Sequence, residues 1–276
     1  MNDKIGVGIV TMQPRKTFDK CFDFWHHNVD HIVVVNDGKP FEYNWSNGFR
    51  NKYVGKSPDT SLTYCQNDGN LGVGITKNRA LQLLLNLKCD HIFLIEDDIY
   101  IKDQSVFQAY IDASKRTGIQ HFNFSQHGMM NKTFDGKSNP NPRIVMDYGD
   151  MKIPLYPHCV GAFSYYSRKC LETVGLMDED YYNACEHVDH TLGIINAGMH
   201  PPFWYFADIE DSWYYLGDEE WSLDQSTISS KDNHGEIVAA ADKVFLAKHG
   251  CLPSQIPLTI ESGVIQSLKD IKNENK

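Results

Sequence analysis

Apolar runs of strand length alternate with stretches of helical period through the first hundred residues. Ile5-Gly6-Val7-Gly8-Ile9-Val10-Thr11 and His31-Ile32-Val33-Val34-Val35 are continuous and apolar, the second ending in Asn36-Asp37-Gly38. Between them Phe18, Cys21, Phe22 and Trp25 stand at i, i+3, i+4 and i+7, the spacing of one helical stripe. Continuous β-branched runs separated by helices predict a parallel sheet covered on both faces. Residues 39–60 read as an irregular loop, and Ser61-Leu62-Thr63-Tyr64-Cys65 as a weaker third strand. Gly69, Gly72 and Gly74 then mark a loop that turns tightly or approaches a ligand. A helix is predicted from near Thr76, with Leu81, Leu84 and Leu85 inward and Lys77, Asn78 and Arg79 in its first turn. Cations at that end oppose the helix dipole, so they call for an anion nearby.

The chain is organised around the run from His91 to Ile101, where an apolar strand ends in Glu96-Asp97-Asp98. The C-terminal edge of strands in an open α/β sheet faces the ligand crevice. Three adjacent carboxylates there repel one another and resist desolvation. A hard divalent cation, Mg²⁺ or Mn²⁺, shared with substrate phosphates would supply the counter-charge. Beyond it, Asp103 predicts a helix cap over Val106, Phe107, Tyr110 and Ile111. His121-Phe122-Asn123-Phe124 alternates like a half-buried strand, and residues 126–157 read as a long loop or β-ribbon suited to an acceptor site. A strand from Gly161 to Tyr166 leads to a short helix capped by Ser167 and stopped at Gly175. Glu186-His187-Val188-Asp189-His190 opens a further helix with Val188, Leu192 and Ile195 as its stripe, so Glu186 and Asp189 share a face. Residues 203–225 are aromatic and acidic (Trp204, Tyr205, Trp213, Tyr214, Tyr215, Trp221), and Ala239 to Lys248 predicts a helix leading into His249-Gly250.

Length and composition narrow the class. The chain has 276 residues, 41% hydrophobic and 22% charged, which suits a soluble globular protein. No apolar run reaches the roughly 20 residues of a membrane span, and Met1-Asn2-Asp3-Lys4 reads as neither a signal nor a transit peptide. Seven scattered cysteines without a CxxC pair fit reduced thiols in a cytoplasmic protein. A net charge of -10 argues against broad electrostatic binding to nucleic acid. The expected organisation is one catalytic region, 1–225, and a C-terminal extension, 226–276, frayed from Asp270.

Taken in order, these segments resemble GT-A fold glycosyltransferases, specifically the large inverting family of nucleotide-sugar transferases. The first strand ending in Thr11 matches that family's opening strand. Val34-Val35-Asn36-Asp37-Gly38 is similar to its Val-Asp-Asp-Gly-Ser turn, with Asn and Lys39 as departures. Asn70-Leu71-Gly72 with Lys77-Asn78 is similar to its Asn-x-Gly…Arg-Asn segment, and Glu96-Asp97-Asp98 stands where it has Asp-x-Asp. Val174-Gly175-Leu176-Met177-Asp178-Glu179, Glu186-His187-Val188-Asp189 and Lys248-His249-Gly250 resemble three later elements. The resemblance spans residues 5–250 and implies an α/β fold with a mostly parallel central sheet.

It also implies roles. Thr11, Asp37, Asn70, Lys77 and Asp97 would hold a nucleotide-sugar donor, a UDP-sugar first. Asp98, with Glu96 and possible third ligand His249, would bind Mn²⁺ or Mg²⁺, which stabilises the departing diphosphate. An inverting transfer needs a base for the acceptor hydroxyl. The family's usual base position is His187 here, so Glu186, His187 and Asp189 all stand as candidates, with a carboxylate favoured, and a retaining mechanism would need none. A surface glycan is the first acceptor expected, and a hydroxymethylated DNA base of a viral genome the second. A nucleotidyltransferase of related architecture would carry a Gly-rich basic signature near the first strand, which Gly8-Ile9-Val10-Thr11 lacks. A catalytically dead sugar-binding module would not need the intact acidic clusters.

Overall fold

The computed structural model describes residues 3–12, 29–40, 60–218 and 233–274. The helix expected around Phe18 to Trp25, most of the 39–60 loop and Trp221 lie outside these residues. Four strands, β1 (Ile5–Thr11), β2 (His31–Asn36), β3 (Ser61–Gln66) and β4 (His91–Glu96), run parallel in the order β3-β2-β1-β4. After β4 a two-residue turn at Asp97 and Asp98 leads into β5 (Ile99–Ile101). The short strand β6 (His121–Asn123) is followed by the hairpin of β7 (Ile144–Asp147) and β8 (Lys152–Tyr156). Next, β9 (Phe163–Ser167) inserts antiparallel between β4 and β6 and completes a six-stranded sheet. The last two strands are β10 (Phe206–Ala207), paired with β8, and β11 (Leu216–Asp218), paired with β5.

Alternating side chains explain why these runs are apolar throughout. Val7, Ile9, Val34, Phe93 and Ile95 enter one core, whereas Val10, Val33, Val35, Ile92 and Leu94 enter the core on the opposite face. Among the described residues seven α-helices accompany the strands: α1 (Val73–Asn86), α2 (Val106–Thr117), α3 (Arg168–Val174), α4 (Glu186–Asn196), α5 (Ser212–Tyr215), α6 (His234–His249) and α7 (Glu261–Glu274). The glycines of β1 let α1 sit close. A Cβ on Gly6 would stand 2.5 Å from Cys89 Sγ, and one on Gly8 2.9 Å from the Ala80 methyl.

Several expectations are corrected. The helix expected from Thr76 begins at Val73, so Lys77 stands in its second turn, and β6 is buried on both faces. The residues of α4 that face inward are Glu186, Asp189, His190, Thr191 and Ile194, while Val188, Leu192 and Ile195 are only half-buried. The chain after Asp270 is helical to Glu274, because Val264, Leu268 and Ile271 are buried in the same core as α2. Among the described residues no helix is long and apolar enough to cross a membrane.

Candidate active site

The parallel strands β1 to β4 end on one edge, where Thr11, Asp37 and the run from Glu96 to Asp98 stand. Asp37, just past β2, accepts hydrogen bonds from Asn67 Nδ2 (2.6 Å) and from the backbone N–H groups of Leu71 and Gly72 (2.9 Å each). It thereby fixes the loop that leads into α1. Gly72 has φ 95°, and a Cβ there would lie 2.4 Å from the Tyr182 carbonyl oxygen, so both conformation and space require glycine. Asn70 Oδ1 accepts from Tyr182 Oη (3.0 Å). Asp37 and Asn70 line an open cleft of about 580 Å³ with Met12 and Gln66. Thr11 Oγ1 donates to Asp97 Oδ2 at 2.5 Å, which ties the end of β1 to the acidic turn.

Lys77 is 1% exposed, and its ammonium joins the two acidic segments. Nζ stands 2.8 Å from Glu96 Oε1, 3.0 Å from Glu186 Oε1 and 3.1 Å from the Gly161 carbonyl oxygen. Burial opposes the lysine's charge, but Glu96 and Glu186 outweigh it and hold its pKa well above the ordinary value. Glu186, 3% exposed, is also raised by burial, yet Lys77 and then His187 hold it far below the usual carboxylate range. His187 Nδ1 lies 3.1 Å from the same Glu186 oxygen, and the His187 side chain remains 23% exposed. A Cβ on Gly161 would stand 2.7 Å from His187 Cγ, so the missing side chain makes room for the ring.

Asp98, 7% exposed, faces His127, whose Nε2 is 3.9 Å from Asp98 Oδ2. The other imidazole nitrogen is 3.4 Å from Asp218, which also accepts the Gly128 N–H (2.6 Å) and pairs with Lys132 (2.5 Å). Burial lowers the pKa of His127, but Asp98 and Asp218 raise it above the ordinary value.

No family model matches the sequence, and no curated protein matches it. Solved structures do resemble it. The mannosyltransferase PcManGT from Pyrobaculum calidifontis, solved in complex with GDP-Man and Mn²⁺, aligns over 98% of this chain and 69% of its own, with a TM-score of 0.54 at 12% identity. The fold is the GT-A fold. GalNAc-T7, solved with UDP, GalNAc and Mn²⁺, aligns over 97% of this chain at 13% identity, with a TM-score of 0.49, and this chain spans 54% of its length.

Within the GT-A framework the expected residues fall into separate groups. Lys77 unites Glu96, Glu186 and His187, and Thr11 holds Asp97. Asp189 points elsewhere: it accepts from His249 Nε2 (2.6 Å), Lys248 Nζ (2.8 Å) and Tyr181 Oη (3.3 Å). His249 is thus an anchor of α6 on Asp189 and makes no contact with Glu96 or Asp98. Asn78 clamps the backbone of Met177 from both its amide nitrogen (2.8 Å) and its oxygen (2.9 Å). Among the described residues no group of three His, Cys, Asp or Glu side chains is arranged to hold a metal ion. His127 and Asp218 escaped the sequence reading, which took Gly161 only as the start of a strand. The only signal for His127 was its position in the long 126–157 segment.

Proposed function

We propose that the chain is a divalent-cation-dependent glycosyltransferase that moves a sugar from a nucleotide-sugar donor to a hydroxyl acceptor with inversion. The observation that carries this reading is the Lys77 ammonium, which joins Glu96 at the end of β4 to Glu186 at the start of α4, a residue 109 positions beyond Lys77 itself. Donor-side and acceptor-side groups are thereby held in one rigid unit. The cleft lined by Asp37 and Asn70 would take the nucleoside, next to the turn held by Thr11 and Asp97.

The donor atoms near the edge suit a cation with oxygen and imidazole ligands. Asp98, with His127 beside it, would hold Mn²⁺, while Glu96 is already engaged by Lys77. The bound ion would supply Lewis-acid stabilisation of the departing nucleoside diphosphate. PcManGT, solved with Mn²⁺, supports a divalent cation there.

The base is best read as His187. Asp189 is occupied by Lys248 and His249, and Glu186 is held ionised against Lys77. Glu186 can accept from His187 Nδ1–H, which leaves Nε2 to take the acceptor proton as the hydroxyl attacks the anomeric carbon. The sugar–phosphate bond breaks in the same displacement, and its electron pair leaves on the diphosphate. We expect release of nucleoside diphosphate from UDP- or GDP-sugars with Mn²⁺ and a glycan acceptor. His187→Ala should reduce that turnover by roughly 10²–10⁴-fold, while Asp189→Asn should act mainly on stability. Equal, mild losses in both variants would reject His187 as the base.

A further inference from the structure

A second cavity, of about 630 Å³, lies between the β5–β11 ribbon and the insertion that follows β6. Asp218 borders this cavity and also contacts His127, which in turn faces Asp98, so the cavity adjoins the acidic edge. Gly217 forms part of its wall. A Cβ there would stand 2.4 Å from Tyr100 Cζ and 2.8 Å from Lys102 Cε, so glycine leaves the room that both side chains occupy. Trp213, 41% exposed, lines the same space and presents a broad apolar ring.

Three lysines line the cavity, and they are not equivalent. Lys132 pairs with Asp218 at 2.5 Å and Lys137 with Asp135 at 2.6 Å. Lys102 Nζ instead donates to the Trp213 carbonyl oxygen (2.8 Å) and stands 5.9 Å from the centroid of the Tyr100 ring. Among the described residues no carboxylate lies within ion-pair distance of it. Burial lowers its pKa, Asp218 offsets part of this, and Lys132 lowers it further. A lysine ammonium carries three donors, so Lys102 keeps two for an incoming acceptor group. In a chain of net charge -10, an ammonium held at a cavity wall by a neutral oxygen marks a seat for an anion.

We propose that this cavity binds an acidic glycan, with a sugar ring against Trp213 and its carboxylate or phosphate on Lys102. That it serves as the acceptor site rests on the transferase reading; the binding itself does not. One cation without a carboxylate partner among the described residues suits a single anionic group, whereas nucleic acid is held through several phosphates at once.

Calorimetric titration of the full chain tests this with three oligosaccharides of equal length: a uronic acid oligomer, its carboxyl-reduced neutral counterpart and a phosphorylated counterpart. We expect at least one acidic form to bind roughly tenfold or more tightly than the neutral one. Whichever acidic form binds more tightly identifies the anion. Lys102→Ala should erase that preference and Lys102→Arg should keep most of it. The proposal fails if neutral and acidic forms bind alike, if none binds, if Lys102→Ala leaves the preference intact, or if a single-stranded oligonucleotide binds more tightly than any of them. Nucleoside diphosphate with Mn²⁺, titrated into the same unaltered protein, separates the two ideas. Absence of nucleotide binding beside intact acidic-glycan binding rejects the transferase reading and leaves the glycan site standing.

Discussion

Lys77 shows how one buried side chain can join two acidic segments that lie far apart in the chain. Its ammonium is buried between Glu96 and Glu186, and each of the three charges is tolerable only because the others are present. Lys77→Met removes the counter-charge and leaves two carboxylates facing each other. We expect a loss of roughly 3–5 kcal/mol in chemical denaturation near neutral pH. The deficit should shrink in acid, where the carboxylates gain protons. An unchanged denaturation midpoint would mean that the cluster is not the rigid unit described. The sequence made this residue conspicuous for a sound reason, an unexplained cation early in a helix, but the anion it called for is protein carboxylate. Which acid it meets depends on the turn of α1 and on the approach of α4, and neither follows from local spacing.

At the scale of elements, the parallel strands were legible because burial on both faces leaves only apolar residues possible. The helix of α4 was legible as a helix but not in its orientation. Its buried side carries Glu186, Asp189 and His190, since those groups find Lys77, Lys248 and the Gly175 carbonyl, and periodicity of apolar residues cannot register such partners. The glycines of β1 have a steric role. Gly6→Val would drive a side chain into Cys89 and Leu84, and overpacking of this kind costs about 1–3 kcal/mol. A lowered melting temperature for this variant is the expected result; an unaltered one would contradict the close seating of α1 on β1. The run of α7 beyond Asp270 was missed because its apolar residues are sparse and acquire meaning only against α2.

The whole molecule buries three histidines near one another, with His121 stacked on Tyr166 at 4.4 Å, His200 at 5.6 Å from His121, and His190 at 5.6 Å from Tyr166. Burial is the main cause of a lowered pKa in each, and it brings His200 down to about 4. In the unfolded chain a histidine takes up its proton near pH 6.5. Between these two values the unfolded state binds more protons, so the stability these rings contribute is complete above about 6.5 and is lost as the pH falls toward 4. His200 alone accounts for up to about 3 kcal/mol. Denaturation followed across this range should show the loss, and His200→Gln should flatten it. A profile that is level between pH 7 and 4 would contradict it.

In the proposed reaction a nucleoside diphosphate and a divalent cation meet at the C-terminal edge of the parallel strands. Thermal unfolding with UDP or GDP, in the presence and absence of Mn²⁺, measures this most directly. The prediction is a rise in melting temperature that requires nucleotide and metal together and disappears in Asp98→Ala. No rise with either nucleotide, or an equal rise in Asp98→Ala, would contradict the assignment of that edge as the site of transfer.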